Sequence, residues 1–267
     1  MAGVYRTAVL TIAVGHGNDT TAGCFPNRQH LARWSGRQKG QDRVYVRFRT
    51  ARGGKQKVFI SETIDHDSMK GKNSPLFGRG WAFQERLLST RILHFMDKEV
   101  FWDCRTLSDC ECGQYPFLYA YDKQREQSRK FHAQISRKLD GSAEEIANAR
   151  SAWYKMVRGY SKRSLSFSED KLPAFSGLAS VFRQPELGRY LAGIWESHLP
   201  GALPWTSAHQ LTTDVLSDRA YRAPSWSWAS SEGKLQPSMH DFASNRFKHF
   251  LPRIAIDEVP VEFGYIA

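Results

Sequence analysis

The run RGWAFQERLLSTRILHF at residues 79–95 constrains this chain more than any other stretch. Its spacing predicts a helix from about Gly80 to Leu88, ended by Ser89-Thr90, and then a strand through Ile92-Leu93-His94-Phe95. Four-residue spacing sets Trp81 and Glu85 one above the other on one helical face, with Leu87 and Leu88 on a neighbouring face suited to burial. An acid beneath a large aromatic, on a helix entering a sheet, is one way to hold a carboxylate at the lip of a pocket. The simpler reading pairs Glu85 with Arg79 or Arg91. On chemistry alone it weighs more, because most helical glutamates are solvated or paired.

Around this run the chain divides into four parts. Residues 4–14 read as an apolar strand, and residues 15–78 as an insertion rich in Gly, Arg and Lys. Within the insertion, Val44-Tyr45-Val46-Arg47-Phe48-Arg49 alternates in the manner of a strand, and Gly53-Gly54 supplies a turn before Lys57-Val58-Phe59-Ile60, which predicts a hairpin. Residues 79–121 hold the Trp–Glu helix and two strands, 92–96 and 100–102, joined by Asp97-Lys98-Glu99. Residues 122–182 read as mainly helical: a polar helix over 123–139, one over 142–159 and one over 170–183. Ser142-Ala143-Glu144-Glu145 is a capping box at the start of the second of these. Trp153, Met156 and Val157 give it an apolar stripe that predicts core. The remainder is less regular. Trp195 and Trp205 suit a layer under loops, and residues 224–229 alternate as a half-buried strand with Trp226 and Trp228 on one face, covering the core rather than forming a stacking platform.

Composition sets limits on function. With 267 residues, 41% hydrophobic, and 8 Trp, 16 Phe and 10 Tyr, the chain can bury a sizeable core in one large domain or two small ones. No apolar run approaches bilayer length and the first residues lack a signal-peptide layout, so a cytoplasmic protein with no membrane partner is expected. The net charge of +11 invites a nucleic-acid reading, and basic residues gather at 43–57 and 123–138. Zinc-finger spacing, an RNP sequence and a GXXG loop are all missing, so specific nucleic-acid binding is not expected and only weak electrostatic association is. Lys and Arg on a hairpin also guard an exposed edge. The four cysteines fall at 24, 104, 110 and 112. Cys110-Glu111-Cys112 with Cys104 and His94 does not have the spacing of a zinc ribbon or finger, so reduced thiols and no metal are expected, with Cys104 explained by burial.

The same central run resembles the fungal heterokaryon-incompatibility (HET) domain, whose signature runs R-G-W-x-x-Q-E-x-x-L-S-x-R-x-L-x-F. Arg79, Gly80, Trp81, Gln84, Glu85, Leu88, Ser89, Arg91, Leu93 and Phe95 fit it without a gap. Val100-Phe101-Trp102-Asp103-Cys104-Arg105 is similar to the family's strand ending in W-E-C, with Asp103 in place of Glu, and Glu111 resembles the acid that comes next. Tyr5-Arg6-Thr7-Ala8-Val9-Leu10-Thr11-Ile12-Ala13, then Gly23-Cys24-Phe25, resembles the family's Y-x-x-A-x-L-T-I-A…G strand and loop. Downstream, Trp153, Tyr160-Ser161, the run DKLPAFSGLA from Asp170 and the run APSWSWAS from Ala223 match landmarks found after HET domains.

The resemblance implies an α/β fold: a partial TIR-like sheet with flanking helices, followed by a mainly helical and irregular C-terminal region. It implies a division into 1–121, the C-terminal part of a HET domain with the basic insertion at 15–78, and 122–267, a helical, Trp-rich region. The family's upstream W-I-D-x-x-C-I-x-Q segment has no counterpart, so the expectation is the C-terminal two-thirds of a HET protein, from a degenerate paralogue or a truncated gene. The implied role is self/non-self recognition and programmed cell death in fungi, through contacts with other proteins including copies of itself, without catalysis and without a cofactor. The alternative is a TIR-like NAD glycohydrolase, with Glu85 as catalytic carboxylate and Trp81 against the substrate NAD. Many TIR domains carry a Glu four residues after a Trp, the offset of Trp81 and Glu85. A carboxylate there would stabilise the ribosyl cation left by nicotinamide.

Overall fold

The computed structural model describes residues 2–26, 44–51, 53–60, 74–111, 123–199, 201–203, 205–207, 221–231 and 233–237. The fold is mixed α/β, with a four-stranded mixed sheet and several helices. Helix α1 (Ala2–Thr7) leads into strand β1 (Thr11–Val14), and hairpin β2 (Val44–Arg49)–β3 (Lys55–Ile60) comes next. A short α2 (Pro75–Gly78) precedes α3 (Gly80–Leu88), which hands the chain to β4 (Arg91–Phe95), β5 (Val100–Cys104) and β6 (Ser108–Cys110). The sheet runs in the order β1-β4-β5-β6, with β1 parallel to β4 and the others antiparallel.

Period-two alternation gives this sheet two unlike faces. Ile92, His94, Phe101 and Cys110 are buried, and Phe77, Met96, Phe101 and Cys110 form a small core of their own on that side. On the opposite face the register aligns Ile12 with Leu93 and Trp102, and Val14 with Phe95 and Val100. These six apolar residues are only partly covered, and Ile12 is 58% exposed. Among the described strands β1 is also an edge strand, reached through the exposed Val9 and Leu10.

The main core lies to the C-terminal side and joins α3 to the later helices. It packs Phe83, Leu87 and Leu88 of α3 against α4 (Lys123–Ser136), α5 (Ala143–Tyr160) and α6 (Pro173–Phe182). Trp153, Trp195 and Trp228 are fully buried within it. Trp153 lies edge-on to Phe175 and Trp195, at 5.1 and 5.5 Å between ring centres. Both Trp153 and Trp228 donate their indole N–H to the Gly193 carbonyl, each at 2.9 Å. Gly193 sits in the two-residue turn between β7 (Tyr190–Leu191) and β8 (Ile194–Trp195), at φ 98°, and a Cβ there would stand 2.4 Å from the Trp228 indole nitrogen. Only glycine fits at position 193, while Ala192 takes the other place in the turn at φ 44°. A final pair, β9 (Trp205–Ser207) and β10 (Leu235–Pro237), closes the described chain.

Several expectations need correction. Residues 4–14 are not one strand: the first part is α1, closed by Ala8 N–H to Val4 O at 3.0 Å and a Thr7 hydroxyl bond to Gly3 O. Packing of Ala2 and Tyr5 on the main core overrides the β-prone composition there. Residues 224–229 are not a strand either. They form turns ending in a 3₁₀ turn, Trp228–Ser230, whose Ser227 hydroxyl caps Ala229 N–H and donates to Ala192 O. Trp228 is buried and Trp226 only half-buried, so the two indoles do not share one exposure. The capping box is half-formed: Ser142 accepts from Glu145 N–H, but Glu145 accepts from Asp140 N–H at 2.6 Å. Cys104 is half-buried, whereas Cys110 is buried. Cys112, Arg43, Arg52 and the expected boundary at 121/122 lie outside the described residues, and the main core extends to both sides of that boundary.

Candidate functional site

Helix α3 begins where Gly80 N–H bonds Ser164 O at 2.8 Å, and its start is wedged against Leu165, 2.5 Å from where a Cβ on Gly80 would stand. It ends at Ser89, whose N–H and hydroxyl both donate to Glu85 O. Within these limits the helix presents Trp81, Gln84, Glu85 and Arg86 to different partners.

Trp81 is half-buried and its indole N–H donates to Asp170 Oδ2 at 3.0 Å. Gln84 is 1% exposed, and its Oε1 accepts from Gly177 N–H at 2.7 Å. A Cβ on Gly177 would meet Gln84 Oε1 at 2.5 Å and Ala2 Cβ at 2.8 Å, so the Gln84 amide is seated in space that a larger side chain at 177 would take. Glu85 is half-buried beside Tyr5 of α1. Burial first, then the hydrogen bond and charge of Glu85, hold the Tyr5 phenol above its ordinary pKa. Neither Arg79 nor Arg91 forms a described ion pair with Glu85; Arg91 instead reaches toward Val9 O at 3.4 Å. Arg86 lies over the Phe77 ring at 4.8 Å and within 3.9 Å of Asp103, which accepts a 2.6 Å bond from the Ser108 hydroxyl.

Two further residues complete the surroundings of α3. Arg163 stacks over Phe83 at 4.5 Å and donates to Phe77 O at 2.7 Å. Burial, helped by Arg86, pushes its guanidinium down to about 10. His132 of α4 is 7% exposed and its Nδ1 has no hydrogen-bond partner among the described residues. Burial and then Arg105 push it down to about 4, against a backbone bond at Ser89 that favours the charged ring.

Two cavities lie near the sheet. One, of about 10 Å³, has room for a single water and is lined by Arg86, Ser89, Asp103, Cys104, Arg105 and His132. The other is an open crevice of about 480 Å³ lined by His16, Asn18, Pro26, Pro75 and Asp97. It sits past the carboxyl ends of the parallel strands β1 and β4, where α/β sheets commonly take ligands. Both are walled by residues other than Trp81 and Glu85, so the sequence-predicted pair belongs to the contacts between α3, α1 and the 168–171 turn. Among the described residues, no group of three His, Cys, Asp or Glu side chains is placed to hold a metal ion. His94, considered in sequence beside the cysteines, is fully buried with its ring edge-on to Phe77 at 5.6 Å. No helix among the described residues is long and apolar enough to cross a membrane.

Sequence reasoning missed Tyr5, Asp170 and His132 as neighbours of α3. Tyr5 carried no signal because its helix reads as a strand. Asp170 and His132 are distant in sequence and meet α3 only through the tertiary fold. No known protein family, curated protein or solved structure matches this chain.

Proposed function

We propose that the chain is a HET-type incompatibility protein with a TIR-like sheet, acting in self/non-self recognition and cell death through protein–protein contacts rather than catalysis. The observation that carries this reading is how the resemblance-bearing segments meet. Trp81 bonds Asp170, Gln84 bonds Gly177, the Tyr160 hydroxyl bonds Lys171 O at 2.9 Å, and Trp153 and Trp228 share the Gly193 carbonyl. Four segments far apart in sequence are thus tied into one core by the side chains that define the resemblance. Residues used in this way are accounted for by architecture. Glu85, engaged with Tyr5, fits the same pattern.

The surface that suits a protein partner is the sheet. Its half-covered face carries Ile12, Val14, Leu93, Phe95, Val100 and Trp102, and β1, at the edge of the sheet among the described strands, adds exposed Val9 and Leu10. The test is expression in fungal hyphae challenged by fusion with an unlike strain. The proposal expects death that survives Glu85→Gln and is lost in Ile12→Lys. Death abolished by Glu85→Gln in a protein that still folds would favour the second reading, an NAD glycohydrolase built on that carboxylate.

A further inference from the structure

Cys104 is a thiol that burial does not explain and that the incompatibility reading does not use. It ends β5 and opens the turn into β6, which its own N–H closes on the Leu107 carbonyl at 2.8 Å. The same turn lays donors on the sulfur. Leu107 N–H reaches Sγ at 3.3 Å, and the Thr106 hydroxyl lies 3.4 Å from it. Burial pushes the thiol up, but the Thr106 hydroxyl, the Leu107 and Thr106 amides and the Trp102 side chain together outweigh it, so its pKa lies below the ordinary value. The thiolate is the nucleophilic form of cysteine, and Cys104 is only half-buried.

The cavity beside it points to what the sulfur meets. Cys104 and His132 line the same space of about 10 Å³, together with Arg86, Ser89, Asp103 and Arg105. His132 is 7% exposed, and its Nδ1 has no hydrogen-bond partner among the described residues. The backbone bond at Ser89 uses an N–H of the ring, which leaves Nδ1 of the neutral imidazole as a lone-pair acceptor without a donor. Asp103 lies within 3.9 Å of Arg86, whereas Arg105 is exposed and disfavours charge on His132. Such a space suits a small neutral molecule that brings O–H donors and a transferable oxygen, and it has room for one added oxygen. We propose that Cys104 is a peroxide-reactive site, at which the thiolate attacks one oxygen of hydrogen peroxide and becomes a sulfenic acid. The S–O bond forms as the O–O bond breaks. Sulfur is oxidised by two electrons, the peroxide is reduced, and the departing hydroxide takes a proton from solvent to leave as water. The sulfenic O–H is a donor of the kind that His132 Nδ1 lacks. This chemistry is independent of the incompatibility reading.

The test compares Cys104 with Cys24, which is exposed and would react first if access alone decided. The reduced full chain is treated at neutral pH with near-equimolar hydrogen peroxide in the presence of dimedone, a carbon nucleophile that traps sulfenic acids. Peptide mass spectrometry then reads the adduct at each cysteine. Cys104 is expected to be labelled at least about fivefold faster than Cys24. Thr106→Val removes a hydroxyl from the sulfur; it should slow Cys104 at least about twofold and move its rate of alkylation by iodoacetamide to higher pH, with Cys24 unchanged. His132→Leu removes the acceptor from the cavity wall and should slow the peroxide reaction at least about twofold while leaving alkylation close to wild type. Labelling of Cys24 as fast as Cys104, or no adduct at Cys104, would overturn the proposal. So would a folded Thr106→Val or His132→Leu chain that reacts as wild type does. The two thiols are compared within the wild-type chain, so that measurement decides the matter even if either substitution unfolds the protein.

Discussion

Acidification from about pH 8 to about pH 5 protonates, in the unfolded chain, three imidazoles that the folded chain holds neutral. His94 and His198 are completely buried, with both ring nitrogens lacking hydrogen-bond partners among the described residues, and His132 is 7% exposed with Nδ1 unpartnered among them. Burial, with Arg86 adding to it, holds His94 well below the usual histidine range. Burial and then Arg105 bring His132 to about 4; burial and then Arg150 bring His198 to about 3. Each folded pKa is depressed, so the unfolded chain binds protons first. The stability contributed by neutral burial is fully present above about pH 6.5 and is lost as pH falls toward the folded values.

At pH 5 an unfolded histidine of pKa about 6.5 is almost fully protonated, a bias of about 1.5 units or about 2 kcal/mol. His132 and His198 together give about 4 kcal/mol, a large part of the whole stability of an ordinary domain, and His94 acts in the same direction. Urea unfolding at a series of pH values measures it. Stability is expected to fall steeply below about pH 6.5, with a slope of about two protons or more. His132→Gln should remove about one of them. A flat profile between about pH 7 and pH 5, or a His132→Gln profile parallel to wild type, would refute the reasoning.

The same packing leads to two further outcomes. Trp153→Ala should cost about 3–5 kcal/mol in urea unfolding, because the indole is completely buried among Phe175, Phe182 and Trp195 and bonds Gly193 O; a loss below about 1 kcal/mol would contradict that role. The β1 edge and apolar sheet face should make the purified chain self-associate despite its charge of +11. Light scattering should show this, relieved by Ile12→Lys, and a monodisperse wild-type monomer would contradict it.

Features that depend on neighbours along the chain were legible in the sequence. Helix α3 runs over Gly80–Leu88 as its spacing indicates, and Ser89 ends it. The β2–β3 hairpin and the β4–β5 pair lie where alternation and turn residues put them, and Trp153, Met156 and Val157 are core. Features that depend on the tertiary fold were not legible. Tyr5 lies in a helix because it packs against α3 and faces Glu85, a fact absent from its own β-prone surroundings. Trp226 and Trp228 mimic a strand by alternating with serines, yet Ser227 folds the segment into a turn by bonding Ala192 and Ala229. Short β6 carries only three residues, too few for any periodic signal. At the candidate site the pairing of Trp81 with Glu85 on one helix was readable, but their partners Asp170 and Tyr5 were not.

The claim most in need of a direct test is that Glu85 is structural and the chain works without cleaving NAD. Purified protein, incubated with NAD at neutral pH while nicotinamide release is followed, supplies that test. The account predicts release no faster than buffer alone, and for both Glu85→Gln and Tyr5→Phe a loss of about 0.5–1.5 kcal/mol in unfolding free energy. Wild-type turnover of NAD that disappears in a folded Glu85→Gln variant would contradict it and make this carboxylate catalytic.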